Sequence, residues 1–350
     1  MPGQDIYAHG GNIYKFAEYA GCTPADVVDF SSNINIVRPE TADYADITPD
    51  LTPYPDPGYS RLKNAFSAHY AVPAESLIVF NGGSSAIFAL FANLRRKYEK
   101  CTLYAPLYSE YKRAASVYSF RTTLKNRFAH SAEKVSSSFA VIVNPSTPDG
   151  ALEANLTEKI DRLTADGCTV LIDESFIEFS DAESLAAKAA ENANLFVLKS
   201  MTKFYGSAGI RVGFLVGEPA QCAEISAAMP MWPVSAYDAE YIISSLKDSH
   251  FASYAMKLNS RNRKRLNTIL EESGLFRRIF PSEANFVLAE LAEMTASSLA
   301  GKLRKAHIMV RDCSNFDFLG EKFVRFAVKD ECSIGKLAVA FEEIRYGGGV

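Results

Sequence analysis

The chain is short of nearly every feature that would place it in a specialised class. Its 350 residues hold six cysteines, at 22, 101, 168, 222, 313 and 332, with no CxxC and no Cys/His grouping. That scatter argues against a zinc site or a disulfide framework and for a reducing compartment. The opening "MPGQDIYAHGGNIYKFAEYA" has no basic stretch followed by an apolar one, so no signal peptide is expected. The longest apolar run, near "AIFALFANL", is far too short to span a bilayer. No charge of one sign dominates: the net value is -4, which gives no global field to recruit nucleic acid or membrane. The basic cluster "RNRKR" (261–265) reads as a solvated helix face. Neither GxGxxG nor the Walker pattern GxxxxGK[ST] occurs, and there is no internal repeat or low-complexity tract. The expectation is a cytoplasmic protein with no metal, nucleic-acid or membrane partner.

What is present is an ordinary globular composition, 48 % apolar and 22 % charged, over a length that allows two lobes. Short apolar runs without polar alternation recur: "SLIVF", "FAVIVNP", "CTVLIDE", "LFVLKS" and "VGFLVG". Such runs predict strands buried on both faces. Helical patterns lie between them, as in "SAIFALFANLRRK", where Ile87, Leu90, Phe91 and Leu94 repeat at helical spacing. The alternation predicts an α/β domain, a mostly parallel sheet covered by helices. After "MPMWPVS" one long helical stretch is expected to about residue 272. "NFVLAEL", "IMVRDC" and "KFVRFAV" then alternate with helical segments, as in a smaller α+β lobe. The predicted division is a large domain over 45–225 and a small one made of 1–44 and 226–350. The Pro-rich "LTPYPDPGYS" (51–60) reads as a loop.

Ligands of open α/β sheets sit beyond the carboxyl ends of the strands. There "FNGGSS" opens a helix, and Gly82, Gly83 and Ser84 offer backbone N–H groups and a positive dipole end to a phosphate. Alone, the stretch also suits a plain strand–helix turn. "LIDESF" leaves Asp173 at a buried strand end, where a carboxylate needs a cation or several donors. A protonated ring nitrogen would serve; so would a role as helix cap or metal ligand. In "LKSMTKFYGSAGIRVGF", Lys203 lies among apolar neighbours, a setting that lowers its pKa and makes it a carbonyl nucleophile. Ser200, three residues earlier, and Arg211, eight later, can both donate to one phosphate.

Taken in order, these pieces describe a pyridine ring, a phosphate and an aldehyde. The chain resembles, over nearly its whole length, the fold-type I pyridoxal-phosphate (PLP) enzymes of the histidinol-phosphate aminotransferase group. The resemblance implies that Lys203 forms the Schiff base and Asp173 pairs with the pyridinium nitrogen. Gly83, Ser84, Ser200 and Arg211 would bind the cofactor phosphate, and Tyr108 of "PLYSEY" would stack on the ring. Tyr54 of "PYPDPGY" matches a tyrosine that reaches the phosphate across a homodimer interface.

The outer motifs "AHGGN", "DFSSNIN", "MPMWPVS", "VRDCSNF" and "FVRFAV" are most similar to the L-threonine O-3-phosphate decarboxylases. That resemblance implies release of carbon dioxide from threonine phosphate, giving aminopropanol phosphate for the cobalamin side chain. It gives Arg325 the substrate carboxylate, Arg311 and His9 the substrate phosphate, and Asn33 a place in the same pocket. Two positions depart from the aminotransferase pattern. Thr147 in "NPSTPDG" stands where an asparagine donates to the ring oxygen, and Phe176 stands where a tyrosine is usual. The second change favours decarboxylation. A histidinol-phosphate-type aminotransferase and a decarboxylase of phosphoserine are the alternatives. A doubly anionic substrate also explains why a net-negative chain would gather arginines at one place.

Overall fold

In the computed structural model, residues 10–40, 47–129 and 138–346 are described. His9 therefore lies outside the described residues. A two-residue strand β1 (Val28–Asp29) precedes seven strands of one sheet. They are β2 (Leu77–Phe80), β3 (Lys100–Ala105), β4 (Arg121–Asn126), β5 (Phe139–Val143), β6 (Thr169–Asp173), β7 (Leu195–Ser200) and β8 (Gly213–Val216). Their spatial order is β2-β8-β7-β6-β5-β3-β4. Neighbours from β4 to β7 are parallel; β8 runs antiparallel to both β7 and β2.

The apolar runs form strands because both faces of this sheet are covered. Ile78, Phe80, Val141 and Leu171 pack against Ile87, Leu90 and Phe91 of the helix Gly82–Leu94 on one face. Leu77, Val79, Ile142 and Val170 face the opposite way, with Phe66, Ile160 and Tyr241 from three further helices. Alternate residues of one strand thus feed two cores, which is why no polar alternation marks these strands in the sequence. The runs "CTLYA" and "RTTLKN" also become strands, β3 and β4, which the apolar-run criterion passes over. β4 is the sheet edge, and its first three residues are exposed.

The remaining strands are β9 (Phe276–Ile279), β10 (Phe286–Leu291), β11 (Ile308–Met309), β12 (Arg311–Asp312) and β13 (Phe323–Ala327). Four of them make an antiparallel sheet in the order β12-β13-β10-β9, and β11 pairs in parallel with β1. Phe30, just after β1, joins Val287, Leu299, Phe326 and Phe341 in a third core. The early chain thereby packs with the late chain. The long helical stretch expected to residue 272 is two helices, Ala236–Ser245 and Phe251–Glu272. At the break, Asp248 Oδ1 accepts from the backbone N–H groups of His250 and Phe251, both at 3.0 Å, in a turn just before the second helix. No described helix is long and apolar enough to cross a membrane.

The consequence for function is geometric. β2, β5, β6 and β7 end along one edge, and the start of β8 lies there too, with Gly213 opposite both Ser200 and Phe80. The antiparallel sheet adds β12 and β13 above that edge.

Candidate active site

A cavity of about 250 Å³ occupies this edge. Its wall includes Gly83, Ser84, Tyr108, Thr147, Asp173, Ser200, Lys203 and Arg211 from the seven-stranded unit. Asn33, Arg311 and Arg325 complete it. Eleven of the residues singled out by the sequence are thus brought together. Tyr54 is not among them. It is 76 % exposed and stacks on Trp232 with ring centroids 4.4 Å apart.

One end of the cavity has the donors a phosphate needs. The helix Gly82–Leu94 starts directly after β2, with its first turn toward the cavity. Gly82 has φ +75°, and a Cβ there would come within 2.6 Å of Arg211 Nη2, so the guanidinium lies against the turn. A Cβ on Gly213 would come within 2.8 Å of the backbone of Gly82 and Gly83, so glycine lets β8 approach. Ser200 Oγ lies 2.9 Å from Thr202 Oγ1, and Ser84 Oγ lies 3.4 Å from Tyr108 Oη. N–H groups at a helix start, two hydroxyls and an arginine on one small volume suit a dianion.

At the other end, Asp173 closes β6 and is 5 % exposed. Ser175 donates to its Oδ1 through N at 2.9 Å and Oγ at 2.5 Å, and Tyr111 Oη donates to Oδ2 at 2.7 Å. Burial pushes this carboxyl up, while these donors hold it down. Asp173 thereby closes an Asx turn with the Ser175 N–H, a spacing present in the sequence. Tyr111 stands one helical turn after Tyr108, but its target is 62 residues away and was not legible.

Between the two ends, the short helix Met201–Phe204 presents Lys203 to the cavity. Coverage by protein, with the positive charges of Arg325 and Arg211, drives its amine down to about 8; Asp173 opposes this. No carboxylate lies within salt-bridge range of it among the described residues. Lys199, four residues earlier, is the contrast. It is 1 % exposed, yet Glu174 at 2.8 Å and Glu178 at 3.0 Å keep it charged.

The antiparallel sheet sets two arginines side by side. Arg311 and Arg325 are direct cross-strand partners on β12 and β13, which places their side chains on one face. Arg325 Nη1 donates to Thr147 Oγ1 at 3.0 Å and Nη2 to Ser31 O at 3.2 Å, while its buried Nε has no partner. Its guanidinium lies 5.0 Å from the Phe286 ring, against which Phe176 packs edge-on. Burial pulls Arg325 down to about 10, with Arg311 adding to the effect. Arg311 Nη2 donates to Asn315 Oδ1 at 2.8 Å. Asn33 is 5 % exposed, and its Oδ1 is another buried atom without a partner. Gly10 lines the cavity beside Ser31, and the Gly11 N–H donates to Ser31 Oγ at 2.8 Å.

A half-buried lysine with no carboxylate partner among the described residues, in one cavity with a glycine-rich helix start and a fixed carboxylate, suits an enzyme that works through an aldehyde cofactor with an anionic tail. Comparison with known proteins agrees. The "Aminotransferase class I and II" family model matches residues 25–344. A putative threonine-phosphate decarboxylase from Caldanaerobacter subterraneus is 31 % identical over 96 % of this chain and 95 % of its own. The adenosylcobalamin biosynthesis bifunctional protein CobDQ of Leptospira interrogans is 30 % identical over 97 % of this chain, which spans only 41 % of that protein. The crystal structure of histidinol-phosphate aminotransferase from Clostridium acetobutylicum superposes with a TM-score of 0.83 at 28 % identity, over 91 % of this chain and 99 % of that one. The chain belongs to the class I and II aminotransferase family. It is a fold-type I PLP-dependent enzyme related to histidinol-phosphate aminotransferases and threonine-phosphate decarboxylases. The residues present fit the cofactor: the glycine cradle, the depressed lysine and the buried carboxylate correspond to its phosphate, aldehyde and ring nitrogen.

Proposed function

We propose that the chain removes the carboxyl group of a small phosphorylated α-amino acid, L-threonine O-3-phosphate first among them, to give aminopropanol phosphate and carbon dioxide for cobalamin synthesis. PLP supplies an electron sink for the pair left at Cα. Lys203 holds the cofactor covalently, Asp173 keeps the ring nitrogen protonated, and Tyr111 and Ser175 fix Asp173. Gly83, Ser84, Ser200 and Arg211 take the cofactor phosphate, and Tyr108 lies against the ring. Lys203 also returns a proton to Cα. Arg325 orients the substrate carboxylate, while Arg311, Asn33 and His9 meet its phosphate.

The observation that carries decarboxylation is the state of Arg325. Each terminal nitrogen already gives one N–H to a protein acceptor, Thr147 or Ser31, and Nε has no partner, so three of the five N–H groups remain for a substrate. A tight grip would stabilise the ground-state carboxylate and hold back its loss; a guanidinium shared with two protein acceptors holds it less tightly. The name of the Caldanaerobacter relative points the same way, and that of the Leptospira relative points to cobalamin synthesis.

The second reading is a histidinol-phosphate-type aminotransferase, and likeness to known proteins weighs more on its side. The family is an aminotransferase family, and the histidinol-phosphate aminotransferase structure superposes at TM-score 0.83. The test is to incubate holoenzyme with threonine phosphate and measure carbon dioxide and amine, with phosphoserine in parallel. Release of both from threonine phosphate supports the proposal. Keto acid from histidinol phosphate with 2-oxoglutarate, and no carbon dioxide, replaces it with transamination.

We also propose a homodimer in which the exposed Tyr54 serves the neighbouring site. A Tyr54→Phe chain mixed with a Lys203→Ala chain then gives hybrid dimers in which one site has neither defect and recovers activity. No recovery, or a monomer by sedimentation, contradicts this.

A further inference from the structure

The function above leaves one charged contact of the cavity wall unused. Lys112 stands one helical turn after Tyr108 on the helix Ser109–Val117, packed on the seven-stranded unit. Its Nζ meets both carboxylate oxygens of Asp317, at 2.9 and 3.0 Å. Asp317 lies in the loop after β12, the strand that carries Arg311. The lysine and the aspartate come from sequence positions 205 residues apart, and both line the cavity.

The loop between them and Arg311 is organised by cations on either side. Asn315 accepts from Arg311, Phe316 lies 5.1 Å from the same guanidinium, and Asp317 accepts from Lys112. The wall thus carries Arg311 and Lys112 on two flanks of one short loop. The pair is also open: the Lys112 side chain is 38 % and that of Asp317 20 % exposed. An ion pair this open contributes little to stability and exchanges partners readily. A single carboxylate has one negative charge, whereas a phosphate monoester has nearly two and three acceptor oxygens.

We propose that Lys112 is a specificity-determining ligand for the substrate's phosphate, and that Asp317 holds its place until the phosphate displaces it. The inference rests on the reading of a phosphorylated amino-acid substrate. It goes beyond the arginines because it assigns an exchange between the helix after Tyr108 and the loop after β12. Asp317 acts as an internal competitor: it keeps the lysine at the cavity wall and lowers the affinity of an anion that must displace it, without touching a ligand that has no group there.

The competitor role makes a prediction of opposite signs. In holoenzyme, affinities for L-threonine O-3-phosphate and for L-threonine are read from the cofactor's absorbance or from KM. Lys112→Met should weaken threonine phosphate about tenfold or more, the scale of a charge-assisted hydrogen bond, and leave threonine unchanged. Asp317→Asn should tighten threonine phosphate several-fold, again without effect on threonine. A structural tie predicts instead that both substitutions weaken both ligands alike, and that result would overturn the inference. If wild-type enzyme prefers threonine phosphate and Lys112→Met keeps the full preference, this inference falls alone. If wild-type enzyme shows no preference for the phosphorylated ligand, the substrate reading falls and takes the inference with it.

Discussion

In the proposed function the chemistry turns on Lys203, and its environment makes a signed prediction. Only the neutral amine attacks an aldehyde. With the amine at about 8, roughly a tenth of molecules are neutral at pH 7, against fewer than about one in a thousand for an ordinary lysine. Capture of PLP by apoprotein, followed by absorbance, should therefore rise about tenfold per pH unit at low pH and level off above about 8. A profile still rising toward pH 10 would show that burial and the two arginines do not act as described. Individual residues of the site were legible for a related reason. Asp173 and Lys203 are polar groups at the ends of apolar runs, and such a placement has few uses. Arg311 and Arg325 were visible as candidates, but their pairing across β12 and β13 was not, because register depends on how the intervening loop folds. Tyr111 and Asp317 were missed because their partners are distant in sequence.

The strand ends β6 and β7 carry function on one side and an ionic anchor on the other. Asp173 and Ser200 face the cavity, so the adjacent Glu174 and Lys199 point to the opposite face. There Lys199 pairs with Glu174 and Glu178 and lies 4.6 Å from the Tyr70 ring. Glu174 also accepts from Ser184 Oγ at 2.6 Å and from the Leu185 N–H at 2.7 Å. Removing one partner of such a buried pair leaves the other charge uncompensated. Lys199→Met should lower unfolding free energy by about 3–5 kcal/mol, read from the denaturant midpoint of the apoprotein. Adding Glu174→Gln should return part of the loss. A single-variant cost below about 1 kcal/mol would mean the charges are solvated. Most elements were legible because buried parallel strands are continuously apolar. β3 and β4 were not, since "CTLYA" and "RTTLKN" mix polar and apolar residues, β4 as the sheet edge and β3 as its neighbour. The helix break at Asp248 was missed because the apolar spacing on both sides is helical and only a short side-chain-held turn interrupts it.

At the scale of the molecule, the site exists because segments far apart in the sequence meet over one sheet edge. Residues 10–33, the loops after β2, β5, β6 and β7, and the hairpin β12–β13 all contribute to one cavity. We propose that 45–225 forms a large cofactor-binding domain and that 1–44 with 226–350 forms the small one. The packing of Phe30 among residues of the last helices supports this grouping. An overall charge of -4 is compatible with anionic ligands because Arg211, Arg311, Arg325, Lys112 and Lys203 are gathered here. The central claim is a covalent link between PLP and Lys203. The direct test is to load the protein with PLP, reduce with borohydride, digest it and locate the modified peptide by mass spectrometry. The account predicts one adduct, on the peptide containing Lys203, and none in a Lys203→Ala protein. An unmodified Lys203 with the adduct on another lysine would contradict it.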